Sequence, residues 1–172
     1  MTSGRAASTA AFEELYERQW WPMLRLATAL VDRVTTAEDV VQDAFAALYR
    51  RWDKLDDPSA ATGYLRTSVV NGSRSVLRRR RTARKHLTVV ADETVEGADA
   101  AVVLSAEHDL VRQALATLPQ RQREVLTLRY VAELADADIA SVTGLSLGGV
   151  RSASSRGLAA LRTALKTTGE LS

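Results

Sequence analysis

The stretch at residues 136–161, DADIASVTGLSLGGVRSASSRGLAAL, constrains the fold more strongly than any other part of the chain. Its first half has an apolar face formed by Ile139 and Val142. Gly144 follows, and glycine takes the left-handed conformation of a helix-ending turn at little steric cost. Ser146 is a favourable N-cap, because its hydroxyl can accept from a free amide in the first turn of a second helix. The stretch therefore predicts two helices joined by a tight turn.

The second predicted helix carries apolar residues on one side and polar or cationic residues on the other. Val150, Leu158 and Leu161 recur at helical spacing and are expected to face a core, with Ser154 in the position between them. Residues 143–168 contain no acid, which favours a surface that faces phosphates. Such a helix fits the DNA major groove, where arginine can contact guanine through two hydrogen bonds. The residues expected to contact DNA are Ser146, Arg151, Ser152, Ser155 and Arg156. A helical hairpin with an ordinary polar surface is the alternative.

Composition and length exclude several classes of protein. The 172 residues are 46% hydrophobic, which is enough for one domain or two small cores, and the 5% aromatic content without strand-like alternation predicts an all-α fold. There is no cysteine, so disulfides and thiolate metal sites are excluded. His86 and His108 have no partner at metal-ligand spacing, and we expect no metal, no cofactor and no catalytic residue. No signal peptide or membrane-spanning run is recognisable, which predicts a cytoplasmic protein without membrane insertion.

Charge is unevenly distributed along the chain, although the net charge is only +2. Residues 12–57 contain ten acids against six bases, whereas residues 68–86 contain seven bases and no acid. A helix is predicted over residues 62–81, and the run RRRRTARK at its end indicates a partner of dense negative charge; a solvated tail is the ordinary alternative. Residues 87–106 are acidic and lack a helical period, which predicts a flexible linker.

The chain before residue 62 predicts a disordered start and two helices. Residues 1–9 are predicted to be disordered, and the first helix is predicted to begin near Ala10. Pro22 is expected to kink this helix or split it in two. Thr35 and Glu38 have the spacing of a capping box, which predicts the start of the next helix.

This next helix presents Asp39, Gln42 and Asp43 away from its apolar stripe. Neighbouring carboxylates can serve acid–base catalysis, but no histidine, metal ligand or glycine-rich phosphate loop lies near these residues. A solvated helix face is one interpretation of the pattern. A docking face for a basic or coiled-coil partner is the other.

The order of these parts resembles that of the extracytoplasmic-function (ECF) sigma factors of RNA polymerase, most closely an actinobacterial branch. AEDVVQDAFAALYRRW with YLRTSVVNGSRSVLRRRR resembles their region 2, and LATLPQRQREVLTLRYVAELADADIASVTGLSLGGVRSASSRGLAALR resembles their region 4. In the latter, a helix is expected near Ala106, and Pro119 is expected at the first position of the next. The resemblance implies two small helical domains, a region 2 bundle at residues 10–86 and a region 4 helix-turn-helix at residues 107–168, joined by the flexible acidic linker.

The resemblance also implies a function, that of a sigma factor that binds core RNA polymerase and directs promoter-specific initiation without an active site of its own. Region 2 would bind the β′ clamp helices through Asp39, Gln42 and Asp43, while region 4 would rest on the β flap and read the −35 element of promoter DNA. The residues that would hold the −10 element and its phosphates are Lys54, Tyr64, Asn71, Arg74, Arg78, Arg79, Arg80 and Arg81. An anti-sigma factor is a further candidate partner, and the free protein is expected to be a monomer.

Three positions of the second helix depart from the family pattern. Relatives often have threonine, arginine and an aliphatic residue where this chain has Gly149, Ala153 and Ser154. Ala153 is expected to remove a contact with DNA or phosphate. Gly149 and Gly157 are each expected to weaken the helix by about 0.5–1 kcal/mol relative to alanine. The departures together imply a weaker hold on −35 DNA.

Two other functions remain open on the sequence alone. A stand-alone regulator would bind a palindromic operator as a dimer through the same helix-turn-helix. It would leave the acidic docking face and the basic helix before the linker unexplained. An enzyme acting on nucleic acid would need clustered carboxylates or a metal site, and the sequence shows neither.

Overall fold

The part of the chain that the structure describes forms seven α-helices and two short 3₁₀ turns. The structure is a computed structural model that describes residues 2–31, 33–55, 57–86 and 106–169. The helices are α1 (Thr2–Leu30), α2 (Val34–Tyr49), α3 (Ala61–His86), α4 (Ala106–Thr117), α5 (Gln120–Tyr130), α6 (Asp136–Thr143) and α7 (Leu147–Gly169). No strand occurs within these ranges, which confirms the all-α prediction. The predicted linker falls almost wholly at residues 87–105, outside the described residues.

Helices α1, α2 and α3 pack together into an N-terminal bundle. Its core is aliphatic, because each helix repeats apolar residues at three- and four-residue steps and so buries one stripe. Leu26, Val41, Leu65 and Val69 are all fully buried there. Phe12 lies at the edge of this core, where its ring makes edge contacts with neighbouring aromatic rings at centroid distances of 5.0–6.4 Å.

Helix α1 begins earlier than the sequence predicted. It starts at Thr2, so the predicted disorder of residues 1–9 is wrong for residues 2–9. Ser8 explains part of this: its carbonyl accepts a hydrogen bond from Trp52 Nε1 at 2.8 Å, and its hydroxyl donates to Asp53 at 2.9 Å. These contacts span more than forty residues of sequence, so no local pattern could indicate them. The helix also runs through Pro22 without splitting.

The ends of α2 and α3 also differ from prediction. Helix α2 starts at Val34 after an extended Arg33 that makes no side-chain capping bond, so the predicted capping box of Thr35 and Glu38 does not start it. Helix α3 continues through the basic run to His86, five residues beyond the predicted end.

Helices α4 to α7 form a C-terminal unit in which α7 packs against the other three. Pro119 is the N-cap of α5, with φ −52° and ψ 141°, and not its first helical residue as predicted. The two predictions for the turn between α6 and α7 are confirmed. Gly144 has φ +73°, and Ser146 Oγ accepts a hydrogen bond from the amide of Gly149 at 3.1 Å. This N-cap bond satisfies one of the free amides at the start of α7.

A glycine allows α7 to lie close to α5. A β-carbon placed at Gly157 would lie 3.1 and 3.2 Å from Leu126 Cδ1 and Cγ and 3.3 Å from Gln122 Cβ. These distances are tighter than ordinary van der Waals contacts. Any larger residue at this position would therefore push the two helices apart or displace the Leu126 side chain.

We predict opposite effects for one substitution at two glycines of α7. Alanine improves helix propensity by up to about 1 kcal/mol, and at Gly148 a new β-carbon would meet no atom within 4 Å. Gly148→Ala should therefore raise the free energy of unfolding. At Gly157 the overlap with Leu126 should outweigh this gain. Gly157→Ala should therefore lower the free energy of unfolding by about 1–3 kcal/mol. Urea denaturation followed by circular dichroism measures both variants, and equal stabilities would show that α5 and α7 are not closely packed at Gly157.

The N-terminal bundle and the C-terminal unit also pack against each other. Helix α1 lies against α4 and α5, and α3 lies against α6. Val125, Leu128 and Ile139 of the C-terminal unit belong to the same apolar cluster as the core of the bundle. The sequence predicted two domains tied by a linker but gave no indication of this direct contact.

Candidate nucleic-acid interface

The outer face of α7 is open to solvent. Each of the residues predicted to contact −35 DNA is exposed: Ser146, Arg151, Ser152, Ser155 and Arg156. On the opposite side Val150 is fully buried and Ser154 is 5% exposed. The two-sided character predicted from the sequence is therefore present, and the DNA contact itself stays a prediction.

Arg151 lies beside a small cluster of charged side chains, formed by Asp136 at the start of α6 and Arg129 of α5. Asp136 accepts from Arg129 in a short ion pair, and its other oxygen lies 3.5 Å from Arg151 Nε. The Arg151 side chain is 73% exposed, so this second contact contributes little to stability. The cluster leaves the end of the Arg151 side chain accessible to a ligand in front of α7.

Ala153 does not lie where the sequence placed it. It is 5% exposed and belongs to the apolar core, so an arginine at this position would point into the protein rather than toward DNA. The prediction that Ala153 removes a DNA contact is therefore wrong for this chain. Helical spacing explains the error, because residue 153 follows Val150 by three positions and so shares its inward face.

The acidic face predicted on α2 is also exposed. Asp39, Gln42 and Asp43 follow one another at three- and four-residue spacing, and all three lie at the surface. They line one side of a shallow cleft, whose other side is formed by Arg79 and Arg80 of α3. Acidic and basic side chains thus lie side by side where α2 meets the end of α3.

Most residues predicted to hold the −10 element lie on or beside α3. Asn71 is exposed, and so are Arg78, Arg79 and Arg81 in the last turns. Arg80 is half-buried and donates to Thr36 Oγ1 at 2.6 Å. The last turns of α3 thus concentrate positive charge, and part of it lies beside the acidic face of α2.

Hydrogen bonds between Ser59 and Asp57 stabilise the turn just before α3. The amide and hydroxyl of Ser59 donate to the Asp57 carboxylate at 2.8 and 2.7 Å, and both hydrogen bonds lower the pKa of Asp57. Tyr64, which follows this loop, is half-buried with the Arg51 guanidinium 5.3 Å from its ring centre, within the range of a cation–π contact. Lys54 is exposed at the start of the loop.

Arg74 has a different environment from the other arginines of α3. Its Nε and Nη2 donate to the two carboxylate oxygens of Glu124 on α5, at 2.8 and 2.7 Å. Hydrogen bonding to Glu124 raises the pKa of Arg74. No role for Glu124 is predicted from the sequence, because a pair separated by 50 residues leaves no local signal.

Comparison with known proteins agrees with this arrangement of parts. The family model described as Sigma-70 region 2 matches residues 15–83, and the model described as Sigma-70, region 4 matches residues 108–161. The chain is 33% identical over 152 residues to the RNA polymerase sigma-E factor of Streptomyces coelicolor, covering 88% of this chain and 84% of that protein. The chain belongs to the ECF sigma factors. It therefore directs promoter-specific initiation of transcription.

Further relatives and solved structures have the same organisation as this sigma factor. The sigma-E factor of Streptomyces antibioticus is 31% identical over 91% of this chain and 85% of its own length. The sigma factor RpoE of Bartonella quintana, solved with the anti-sigma factor NepR, superposes with a TM-score of 0.72 at 25% identity, over 90% of this chain and 98% of that one. CnrH, solved with the cytosolic domain of CnrY, superposes with a TM-score of 0.67 at 25% identity, over 95% and 97%.

Neither a metal-binding cluster nor a membrane-spanning helix is found in the part of this sigma factor that the structure describes. No group of three or more histidine, aspartate or glutamate side chains there could hold a metal ion. None of the helices in the described ranges combines the length and apolar character needed to cross a membrane.

Proposed function

We propose that this sigma factor reads the −10 element with its N-terminal bundle and the −35 element with α7. The observation that carries the proposal is the exposed outer face of α7, where Arg151 and Arg156 stand on a helix whose start is capped by Ser146. Arginine on such a face can discriminate guanine in the major groove. The bundle acts as region 2 over residues 10–86 and the C-terminal unit as region 4 over residues 107–168.

The −10 element would be held by α3 and the loop before it. Asn71 and the exposed arginines of the last turns present donors and positive charge to one side of the helix. Flipping a base out of the duplex costs a few kcal/mol, which a shaped pocket must offset. Lys54 and Tyr64 flank the loop that would form this pocket, with Arg74, Arg78, Arg79, Arg80 and Arg81 holding phosphates.

Core RNA polymerase would dock on the acidic face of α2. Asp39, Gln42 and Asp43 lie together at the surface and offer carboxylate and amide groups to a helical partner, the β′ clamp helices. The C-terminal unit would rest on the β flap. The polymerase carries the chemistry, so the sigma factor needs no active site of its own and works where the polymerase is, in the cytoplasm.

We also propose that an anti-sigma factor binds this chain. One similar solved structure contains the sigma factor RpoE bound to the anti-sigma factor NepR. Another contains CnrH in complex with the cytosolic domain of CnrY. Released from this partner, the protein would be a monomer.

Run-off transcription with purified core polymerase tests the proposed function. We expect discrete transcripts from fragments of the source genome only when the protein is added, and their start sites would give the −10 and −35 sequences. A sequence-specific footprint of the protein alone, with no transcripts, would instead indicate a stand-alone regulator. Gln42→Ala with Asp43→Ala should reduce both core binding and transcript yield.

A control variant separates docking from general charge effects. Glu13 and Glu17 are exposed on α1 and lie outside the proposed docking face. Glu13→Ala with Glu17→Ala removes more negative charge than the docking variant and should leave core binding unchanged. If both double variants bind the core as the wild type does, the docking face lies elsewhere on the protein.

A further inference from the structure

The contact between Arg74 and Glu124 joins the N-terminal bundle to the C-terminal unit. Each of two guanidinium nitrogens faces its own carboxylate oxygen, which is the paired geometry that arginine forms with carboxylates and phosphates alike. The Glu124 side chain is 4% exposed and also accepts from Gln120 Nε2 at 2.9 Å. Arg74 Nη2 lies 3.3 Å from the carbonyl of Thr143, at the end of α6.

Other contacts hold the same two parts together. Arg123, one residue before Glu124, donates to the carbonyl of Leu30 at the end of α1, at 3.1 Å. Val125 and Leu128 of α5 are fully buried in the apolar cluster shared by both parts. Helix α5 therefore contributes a buried carboxylate, paired with the part-buried Arg74 of α3, and apolar side chains to the same junction. We call this arrangement the closed form.

Arg74 is also one of the residues that the proposed function assigns to promoter phosphates. It lies one helical turn after Asn71, whose Oδ1 is 3.4 Å from Arg74 Nη1. A guanidinium that already holds a carboxylate with two hydrogen bonds cannot offer the same two donors to a phosphate.

We propose that Glu124 occupies, in the closed form, the place that a phosphate of −10 DNA takes on Arg74. Packing of the C-terminal unit on the bundle and binding of DNA to this part of α3 then exclude each other. This inference rests on the proposed function. It adds Glu124 as an intramolecular competitor of the DNA phosphate for Arg74. A chain that is closed most of the time binds DNA more weakly, in proportion to its open fraction.

The test uses the full-length chain and measures both closure and DNA binding. The chain has no cysteine, so cysteines introduced at the exposed positions Glu17 of α1 and Thr163 of α7 can carry a fluorescent donor and acceptor. Closure is read from energy transfer between them. DNA binding is read from the anisotropy of a labelled mixed-sequence single-stranded oligonucleotide at fixed salt.

Glu124→Gln should lower energy transfer and tighten oligonucleotide binding by about tenfold, as expected if about one chain in ten is open in the wild type. Glu133→Gln is the matched control, because it removes the same charge from an exposed position of the C-terminal unit. Equal affinities of the two variants would overturn the proposal, and so would unchanged energy transfer in Glu124→Gln.

Two further measurements keep the proposal testable if Glu124→Gln does not fold. The swapped variant Arg74→Glu with Glu124→Arg should restore energy transfer while losing the DNA contact at residue 74. In the wild type, saturating oligonucleotide should lower energy transfer. If closure and DNA binding exclude each other, bound DNA must reduce the fraction of closed chains. Energy transfer that stays constant through this titration would overturn the proposal. Transcripts from the wild type in the run-off assay would still support the proposed function.

Discussion

Replacing Leu128 with alanine is expected to lower the free energy of unfolding by about 2–5 kcal/mol. Leu128 has no exposed surface, and it lies in the apolar cluster that runs from the N-terminal bundle into the C-terminal unit. The substitution removes buried methyl groups and leaves a cavity, which the surrounding helices can close only in part. Urea denaturation followed by far-ultraviolet circular dichroism gives the change directly.

Leu147→Ala is the matched control for this prediction. Leu147 is 48% exposed at the start of α7, so the same truncation there should change the free energy of unfolding by less than about 1 kcal/mol. Because Leu128 lies at the junction of the two parts, we also expect its variant to lose protection of backbone amides in both. Comparable losses of stability in the two variants would contradict the burial of Leu128.

Replacing Arg151 or Arg156 with alanine is expected to reduce promoter discrimination by about 1–3 kcal/mol for each residue that contacts a base. This corresponds to about five- to 150-fold in the ratio of affinities. Both side chains are exposed on the outer face of α7, and removing either should leave the fold unchanged. Competition between the promoter found by run-off transcription and the same promoter with an altered −35 element measures the ratio, using polymerase holoenzyme.

Arg121→Ala is the control for this pair, because Arg121 is exposed on α5 outside the proposed interface. It should leave the ratio unchanged. A residue that contacts only phosphate would weaken binding to both promoters equally and would reduce the salt dependence. Unchanged preference in both α7 variants would show that neither Arg151 nor Arg156 reads the −35 element.

The helix-turn-helix could be predicted because its signals are local. The left-handed conformation at residue 144 favours glycine, and the first turn of α7 needs a nearby oxygen, which Ser146 supplies. Both requirements are visible within three residues of sequence. The exposed face of α2 was predictable for a similar reason, since polar residues at three- and four-residue spacing lie on one side of a helix.

The contacts that fix the arrangement of the two parts could not be predicted in this way. Arg74 and Glu124 are 50 residues apart, and each separately resembles an ordinary surface residue in a polar stretch. In α5 the five consecutive residues 124–128 are all buried, because the helix is covered on several sides. A helix enclosed in this manner loses the one-sided periodicity on which sequence interpretation depends. Ala153 was assigned to the wrong face by resemblance, although its spacing from Val150 indicates the core.

The absence of a side chain at Gly157 has a consequence for how this protein could diverge. The separation of α7 from α5 is set at this position, behind the face that carries Arg151 and Arg156. A residue on the buried side of α7 therefore influences how far those two arginines project from the body of the protein. If α7 reads the −35 element as proposed, substitutions at 157 and 126 would change the depth at which this helix enters the groove without altering any residue proposed to contact DNA. Comparing only the DNA-facing residues of two such proteins would miss the cause of their different promoters.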